Sequence, residues 1–552
     1  MTPSTNSPTN SVTSPTTQST NIQSHDPPLP TITTEQTHSK RQSKTPTWLQ
    51  DFETGEGLSE EEGQFFALSV TDPTTFQEAV GKPEWEQAMV NELQAIEKHD
   101  TWELTTLPAG KNVVGLKWLF KTKLGADGKI MKHKARLVVK GYSQQHGIDY
   151  QETFAPVARF ETIRVVISVA AQRGWNLHQL DVKTAFLNGN LSEEIYVSQP
   201  EGFEEVGNED KVYRLKKALY GLKQAPRAWY SRIDGYFIKN GYERSINEPT
   251  LYVKKVDGEI IYVCLYVDDI IYTSSSLKLV KEFKRCMEHE FEMSDMGLLK
   301  LFLGLEVKQT DKGVFLSQEN YAKGIVSKFG MEGCKVEDTP MNVNEKLMQD
   351  DKADKANEVI FRSLVGSLIY LTHTRPDLAY SVSLISRFMQ NPSKLHLGAA
   401  KRIVKYVAGT TGYGIWYERG VPINLIGYTD SDWASSVDDR KSVSANVFSL
   451  GSGAVTWSSK KQSTVALSST EAEYVASSAA TSQAIWLRRI LEDLGVPQEA
   501  PTVILCDNHS AINLSRNPVL HGRTKHIEIK HHYIRDMVAQ QRISLEYCRT
   551  NM

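Results

Sequence analysis

The stretch that decides the fold is Tyr262–Ser274, YVCLYVDDIIYTS, in which two apolar runs flank the adjacent acids Asp268 and Asp269. Runs rich in β-branched and aromatic residues predict two strands that meet at the acidic pair. Neighbouring carboxylates raise each other's pKa unless a cation lies between them, and hard oxygen ligands favour magnesium. Most Asp-Asp pairs lie on exposed turns, but apolar residues on both sides favour a metal-binding position here.

A third acid lies upstream, in the stretch Asn176–Leu191, NLHQLDVKTAFLNGNL. Asp181 ends an apolar, strand-like run and is followed by a turn that can start a helix. Taken alone, an Asp at a strand end is usually a cap. The residues around Asp181 therefore leave a structural and a metal-binding interpretation open.

The chain divides into four parts by composition and pattern. Residues 1–71 form a Ser/Thr/Pro-rich tail and an acidic linker that bury too little apolar surface to fold, so we expect disorder. Residues 72–330 alternate between helix and strand patterns, which is typical of an α+β domain. Residues 331–423 carry three helical segments, which predict a separate helical subdomain. Residues 424–552 predict three strands, a helix, a strand and a helix, which form a mixed sheet.

Composition limits the class and the setting of the protein. The chain starts MTPSTNSPTN, without an export signal, and no stretch reaches the roughly 18 apolar residues of a membrane span. We therefore expect an intracellular protein without a membrane anchor. Cysteines lie far apart with no C-x-x-C pair, which argues against a disulfide framework or a cysteine zinc site. The five cysteines are Cys264, Cys286, Cys334, Cys506 and Cys548.

The net charge of -3 does not exclude a nucleic-acid partner, because basic residues cluster locally. Nine Lys and Arg residues between Lys111 and Tyr142 accompany a single acid, Asp127. Ala126-Asp127-Gly128 predicts a hairpin turn, so this segment is expected to form a two-stranded projection. Its basic face is suited to neutralise phosphates. An ordinary solvated strand face is the alternative.

These strings, with GYSQQHGIDYQETFAPVARFETIR upstream and LYGLKQAPRAWY between them, resemble the reverse transcriptase and ribonuclease H region of Copia-type LTR retrotransposons. The resemblance runs from about residue 72 into the fourth part of the chain. It implies an α+β right-hand polymerase of fingers, palm and thumb or connection, followed by a ribonuclease H-like mixed α/β domain. The implied ligands are an RNA template, a DNA primer, dNTPs and RNA–DNA hybrids.

The same resemblance implies that Asp181, Asp268 and Asp269 hold two Mg²⁺ ions at the palm, with Mn²⁺ as a substitute. One ion activates the primer 3'-hydroxyl and the other neutralises the triphosphate. Asp269 is expected to contact the metal less directly than the other two acids.

Nucleotide-binding residues also follow from the resemblance. Lys134 and Arg136 would grip the triphosphate, and Phe186 would exclude a 2'-hydroxyl, although an ordinary core Phe is the alternative. The residues implied for nucleotide binding are Lys134, Arg136, Phe186, Tyr220 and Gly221. Gly304 resembles a turn that grips the primer. A helical basic stripe, equally well explained as a solvated face, comprises Lys394, Lys401, Arg402 and Lys405.

A second set of acids resembles the metal ligands of ribonuclease H, which cleaves the RNA strand of a hybrid through two metal ions. The expected ligands are Asp430, Glu471, Asp507 and Asp536. Two further acids lie two residues from these, and the family pattern favours Asp430 over Asp432. Glu471 and Glu473 point about 200° apart on a helix, so only one can face the metals, and we choose Glu471. For the fourth ligand, Asp536 competes with Glu528, His526 and His532.

The chain stops at Met552, shortly after LEYCRT, where family members usually continue. Zinc-knuckle, aspartic protease and integrase motifs are missing from the sequence, so we expect a fragment of an element whose nuclease is truncated at its C-terminus. The competing hypotheses are a decayed remnant that only binds nucleic acid and a cellular DNA polymerase. The resemblance further implies self-association or association with the element's capsid and integrase, in cytoplasmic particles or in the nucleus.

Overall fold

A computed structural model describes residues 72–124, 130–343, 345–516, 527 and 529–549. The predicted disordered tail and the predicted turn at Ala126-Asp127-Gly128 lie outside these residues. Within the described part of the chain, none of the helices combines the length and the apolarity needed to cross a membrane.

The first elements form a helical layer over a hairpin. They are α1 (Phe76–Ala79), α2 (Pro83–Lys98), β1 (Trp102–Thr105), β2 (Val113–Val114), β3 (Leu116–Leu124) and β4 (Ile130–Val139). The break between α1 and α2 falls at Gly81, which has a φ of 78°, and Pro83 then starts α2 with its φ already helical. β3 pairs antiparallel with β4, with Leu116 opposite Val139, as predicted for the two-stranded projection.

The next elements build the central sheet and its helices. They are α3 (Phe160–Arg173), β5 (Leu177–Val182), β6 (Asn190–Val197), β7 (Val212–Lys217), α4 (Ala225–Lys239), β8 (Glu243–Arg244), β9 (Leu251–Val256), β10 (Glu259–Tyr266), β11 (Asp269–Ser274), α5 (Leu277–Glu290) and β12 (Met293–Leu298). The sheet has the order β12-β5-β11-β10-β9-β8, and a smaller sheet has the order β1-β7-β6-β2. The strands that carry the predicted acids are therefore neighbours in the middle of the larger sheet.

A third sheet leads into a helical bundle. Its elements are β13 (Leu301–Phe302), β14 (Leu305–Thr310), β15 (Gly313–Ser317), α6 (Glu319–Lys328), α7 (Glu358–Leu371), α8 (Ala379–Ile385), α9 (Lys394–Gly409) and β16 (Gly414–Glu418). The three segments predicted to be helical are helices α7, α8 and α9. However, α6 shares their apolar core, and β16 pairs with β15. A division at residue 330 thus cuts through one core and one sheet.

The last region is a five-stranded mixed sheet with helices. Its elements are β17 (Leu425–Ser431), β18 (Val443–Leu450), β19 (Gly453–Lys461), α10 (Ser469–Asp493), β20 (Thr502–Cys506), α11 (His509–Arg516), α12 (Tyr533–Ala539) and β21 (Ile543–Tyr547). The strand order is β19-β18-β17-β20-β21, with β17, β20 and β21 mutually parallel. The predicted elements are observed in the predicted order, with two additions: helix α11, and strand β21, which the short run ISLEY did not reveal.

Helix α3 joins the central sheet to the last one. Arg164 is only 2% exposed, and its Nε donates to the carbonyl of Val455 at 2.7 Å. Its Nη1 donates to the carbonyl of His373 at 3.1 Å, and its guanidinium carbon lies 4.1 Å from the centre of the Trp457 ring. Gln172 donates to the carbonyl of Leu450 at 2.7 Å from the same helix. Buried carbonyls that lose such donors cost about 1–3 kcal/mol each, so α3 holds the two sheets together in one core.

Candidate functional site

The acidic pair lies in a two-residue turn between β10 and β11. Tyr266 pairs with Asp269, which leaves Val267 and Asp268 as the turn. Val267 has a φ of 55°, a conformation that tight hairpins require but a β-branched side chain rarely adopts. The indole nitrogen of Trp229 donates to the carbonyl of Val267 at 2.6 Å and holds this turn in place. The acids are thereby presented in one orientation.

Asp181 meets this turn through strand pairing. Because β5 runs antiparallel beside β11, Asp181 lies directly opposite Asp269. The next residue along, Val182, donates its backbone N–H to the carbonyl of Asp268 at 2.8 Å. The structure therefore brings the three acids predicted from the sequence to one end of two neighbouring strands.

Burial and like charges both act on the acids of this cluster. Burial, together with the charges of Asp268 and Asp181, raises the pKa of Asp269 to about 6 against one opposing hydrogen bond. That bond comes from Gln179, whose Nε2 donates to Oδ1 of Asp269 at 2.9 Å. Carboxylate oxygens that repel one another in a partly buried place are a donor set suited to Mg²⁺. Gln179 was not predicted from the sequence, although it lies two residues before Asp181 and thus on the same strand face.

The residues predicted to bind the nucleotide also come together. The guanidinium carbon of Arg136 lies 5.0 Å from the centre of the Tyr220 ring, and the centre of the Phe186 ring lies 5.6 Å from that of Tyr220. Lys134 is two residues from Arg136 on β4, on the same strand face. The Arg136 guanidinium, the Tyr220 ring and the Phe186 ring therefore form a row. The row begins at the hairpin and ends at Phe186, five residues after Asp181.

The position of Tyr220 depends on Gly221. Gly221 has a φ of 94°, and a Cβ there would collide with the carbonyl of Val139. The backbone N–H of Val139 donates to the carbonyl of Tyr220 at 2.8 Å. Glycine is therefore required for the end of β4 to lie against this turn.

Two further predictions concern nucleic-acid contact. Gly304 has a φ of 72°, and the Tyr370 hydroxyl, which donates to the carbonyl of Leu303, occupies the space that a Cβ would need. In the basic stripe on α9, two members have acidic partners within the protein. Lys394 pairs with Asp354 at 2.8 Å and Arg402 pairs with Glu337 at 2.6 Å.

A second acidic cluster forms where β17, α10 and β20 meet. Oε1 of Glu473 accepts from the backbone N–H of Ser431 at 3.0 Å, next to Asp430. The ligand atoms of Glu473, Cys506 and Asp507 lie within 4.8 Å of one another. Burial, together with the charges of Asp430 and Asp507, raises the pKa of Glu473 to about 8. Burial and the charge of Asp507 likewise raise the pKa of Asp430.

The helix-borne acid of this cluster is Glu473, which differs from the expectation of Glu471. Oε2 of Glu471 accepts from the backbone N–H of Leu467 at 2.7 Å, and its own N–H donates to Ser468 Oγ at 3.1 Å. Glu471 therefore serves the start of α10, where backbone N–H groups lack helical partners. The string Ser-Ser-Thr-Glu at residues 468–471 has the pattern of a capping box and could have shown this.

Asp432 and Asp536 lie in surroundings that differ from those of Glu473, Cys506 and Asp507. Oδ1 of Asp432 accepts from the backbone N–H of Val443 at 2.9 Å and Oδ2 from Ser435 Oγ at 2.6 Å, which is a structural role. Asp536 is exposed on α12, and its charge acts on Tyr474. The Tyr474 hydroxyl lies 3.1 Å from Nδ1 of His532. Glu528 and His526 lie outside the described residues.

Comparison with known proteins gives a consistent assignment. A family model described as reverse transcriptase (RNA-dependent DNA polymerase) matches residues 99–343. The Pol polyproteins of transposon TNT 1-94 from Nicotiana tabacum and transposon RE2 from Arabidopsis thaliana are 41% and 40% identical, each over 87% of this chain. A Ty5-1 transposon protein of Saccharomyces cerevisiae is 35% identical over 54% of this chain and 98% of its own length.

The chain spans 37% of the TNT 1-94 polyprotein and 33% of the RE2 polyprotein. The similarity to both extends well beyond the residues that the family model matches. The resemblance first noted around the acidic turn is confirmed: the chain belongs to the reverse transcriptase family of Copia-type transposon Pol polyproteins.

Proposed function

We propose that this chain is an RNA- and DNA-directed DNA polymerase with a fused ribonuclease H that cleaves RNA in RNA–DNA hybrids. The observation that carries the polymerase is the strand register that sets Asp181 opposite Asp269, beside Asp268. Two Mg²⁺ ions, or Mn²⁺ in their place, fit the oxygen donors of these three acids. When bound, the ions supply activation of the primer 3'-hydroxyl and neutralisation of the triphosphate.

The chain's own residues position the substrates around these acids. Arg136 and Lys134 bind the triphosphate. Stacking on the Tyr220 ring fixes the orientation of the Arg136 guanidinium. Phe186 packs against Tyr220 and lies under the sugar, where its ring leaves no space for a 2'-hydroxyl. Trp229 and the strained turn at Val267 keep the carboxylates in place while the primer terminus moves by one nucleotide.

The nuclease proposal rests on the last sheet and its acids. The order β19-β18-β17-β20-β21, with three antiparallel strands followed by two parallel ones, is the arrangement expected for a ribonuclease H-like domain. Asp430, Glu473 and Asp507 come from two strand ends and a helix and meet at one place. We assign these three as metal ligands, in place of the expected Glu471, and leave Asp536 as a contributor from α12.

A decayed remnant that only binds nucleic acid is the alternative. The chain retains the three palm acids, the basic residues of β4 and three converging acids in the last sheet. Random decay would have removed some of so many separate positions, so we favour the active enzyme. In the whole polyprotein, we propose that the capsid and integrase are partners.

The polymerase is tested by primer extension on poly(rA) and on DNA templates with Mg²⁺ or Mn²⁺. We expect Asp268→Asn to lower the rate at least about 100-fold, because the turn loses a charge that metal binding requires. The matched control is Asp257→Asn, which makes the same change in the exposed turn at the other end of β10, where φ is 51°. Extension that needs no divalent metal, or an equal loss in both variants, would contradict the polymerase assignment.

The sugar gate is tested by Phe186→Val. We expect the ratio of kcat/KM for ribonucleotides to that for deoxynucleotides to rise about tenfold or more, because a steric clash with the 2'-hydroxyl is relieved. Single-nucleotide incorporation assays measure both values. A variant that loses activity equally for the two sugars would mean that Phe186 is only a packing residue.

The nuclease assignment is tested by release of label from the RNA strand of a hybrid in the presence of Mg²⁺. We expect Glu473→Gln, like Asp430→Asn, to abolish cleavage and leave primer extension intact. Glu471→Gln keeps a hydrogen-bond acceptor at the helix start, so its cleavage rate should stay within a few-fold of wild type. The expected cost of its lost charge is about 0.5 kcal/mol of stability. The opposite pattern, with Glu471 essential and Glu473 dispensable, would overturn the geometry proposed for this site.

A further inference from the structure

Cys506 lies among the acids of the second cluster. Magnesium binds oxygen ligands, so a magnesium site would not require this thiol. Its Sγ lies 3.9 Å from Oε2 of Glu473, and the hydroxyl of Ser477 donates to the same sulfur at 3.9 Å. Asp507 follows Cys506 directly at the end of β20. Among the described residues, this is the group of His, Cys, Asp and Glu side chains whose ligand atoms approach within 4.8 Å.

The donor set differs in chemistry from that of the palm. Thiolate is a soft ligand that selects zinc over magnesium, whereas carboxylates bind either ion. The acids of the palm are accompanied by the Gln179 amide, and the nearest strand cysteine, Cys264, is buried in the apolar core. A soft divalent ion such as Zn²⁺ should therefore bind the second cluster more tightly than it binds the palm acids.

The distance between the Cys506 and Glu473 donor atoms is close to that around a tetrahedral ion. Zinc binds sulfur at about 2.3 Å and carboxylate oxygen at about 2.0 Å, which places two such donors about 3.5 Å apart at the tetrahedral angle. The observed 3.9 Å between Sγ of Cys506 and Oε2 of Glu473 requires a movement of only a few tenths of an ångström. Asp507 is only partly buried, whereas Glu473 and Cys506 are buried, so an ion can enter from the side of Asp507.

We propose that the second cluster binds Zn²⁺ through Glu473, Cys506 and Asp507, and that this ion blocks Mg²⁺-dependent cleavage of hybrids while sparing the polymerase. On binding, the Cys506 thiol releases its proton to solvent and the sulfur forms a bond to zinc, with no change of oxidation state. The hydroxyl of Ser477 remains a donor to the bound sulfur. The zinc site itself follows from the donor atoms, whereas the inhibition rests on the nuclease proposed above.

The site is tested on the full chain, freed of metal with a chelator, by titration with Zn²⁺ in a calorimeter. We expect Cys506→Ser to raise the Kd of one zinc site at least about tenfold, because an oxygen replaces the soft ligand. Glu473→Gln, which keeps the cysteine, should also weaken binding. Cys334→Ser, a change of a partly exposed cysteine in the helical bundle, is the matched control and should leave the Kd unchanged.

Cd²⁺ provides a second readout, because cadmium bound to thiolate absorbs in the ultraviolet. We expect this band in the wild-type protein and in Cys334→Ser and its loss in Cys506→Ser. Equal zinc affinity and equal cadmium spectra in all three proteins would overturn the inference. Zinc binding that depends on Cys506, in a protein that never cleaves hybrids, would leave the metal site standing and remove the nuclease. Mg²⁺-dependent cleavage by a protein whose zinc binding does not depend on Cys506 would support the nuclease and overturn the zinc site.

Discussion

The antiparallel register of β5 and β11 is the constraint on which the rest of the structure depends. It sets Asp181 opposite Asp269, and the tight turn before β11 adds a third carboxylate at the same end of the sheet. Mutual repulsion and partial burial make this arrangement unfavourable without a cation, as the raised pKa of Asp269 indicates. The fold must therefore stabilise the turn by other means, and it does so with the Trp229 hydrogen bond and the continuous apolar strands around it.

The last sheet also brings acids from separate elements together. Strand ends supply Asp430 and Asp507, and helix α10 supplies Glu473, whose pKa is raised to about 8. Helix α3 joins the two sheets through the buried guanidinium of Arg164. This connection packs the two sheets that carry the acidic clusters into one apolar core.

Much of the fold and of the candidate site could be predicted from local sequence patterns. The apolar runs around Asp268 and the hairpin before Arg136 are visible in short stretches, because period-two burial and turn residues are local signals. Glu473 was missed for an equally local reason, since the capping pattern at residues 468–471 is what removes Glu471 from the site. Gln179 had a signal in its spacing from Asp181. The family pattern, and not residue spacing, supplied the grouping of Arg136, Tyr220 and Phe186.

Other features depend on contacts between residues far apart in the chain. Neither the burial of Arg164 against Trp457 nor the shared core of α6 and α7 has a signature in any single segment. The left-handed conformation of Val267 contradicts the preference of valine, so a local pattern would predict against it. Such features arise where tertiary packing overrides local preference, and one of them, the turn at Val267, lies directly beside Asp268.

The fold holds the palm carboxylates close together, and a bound cation would relieve their mutual repulsion. Thermal unfolding of metal-free wild type and Asp269→Asn, followed from pH 4 to pH 8, tests it most directly. Because folding raises the pKa of Asp269 from 3.8 to about 6, its favourable neutral form is lost as pH rises across that window. Wild type should therefore lose stability relative to Asp269→Asn between about pH 4 and pH 6 and regain it when Mg²⁺ is added. Parallel curves with equal responses to Mg²⁺ would contradict the account.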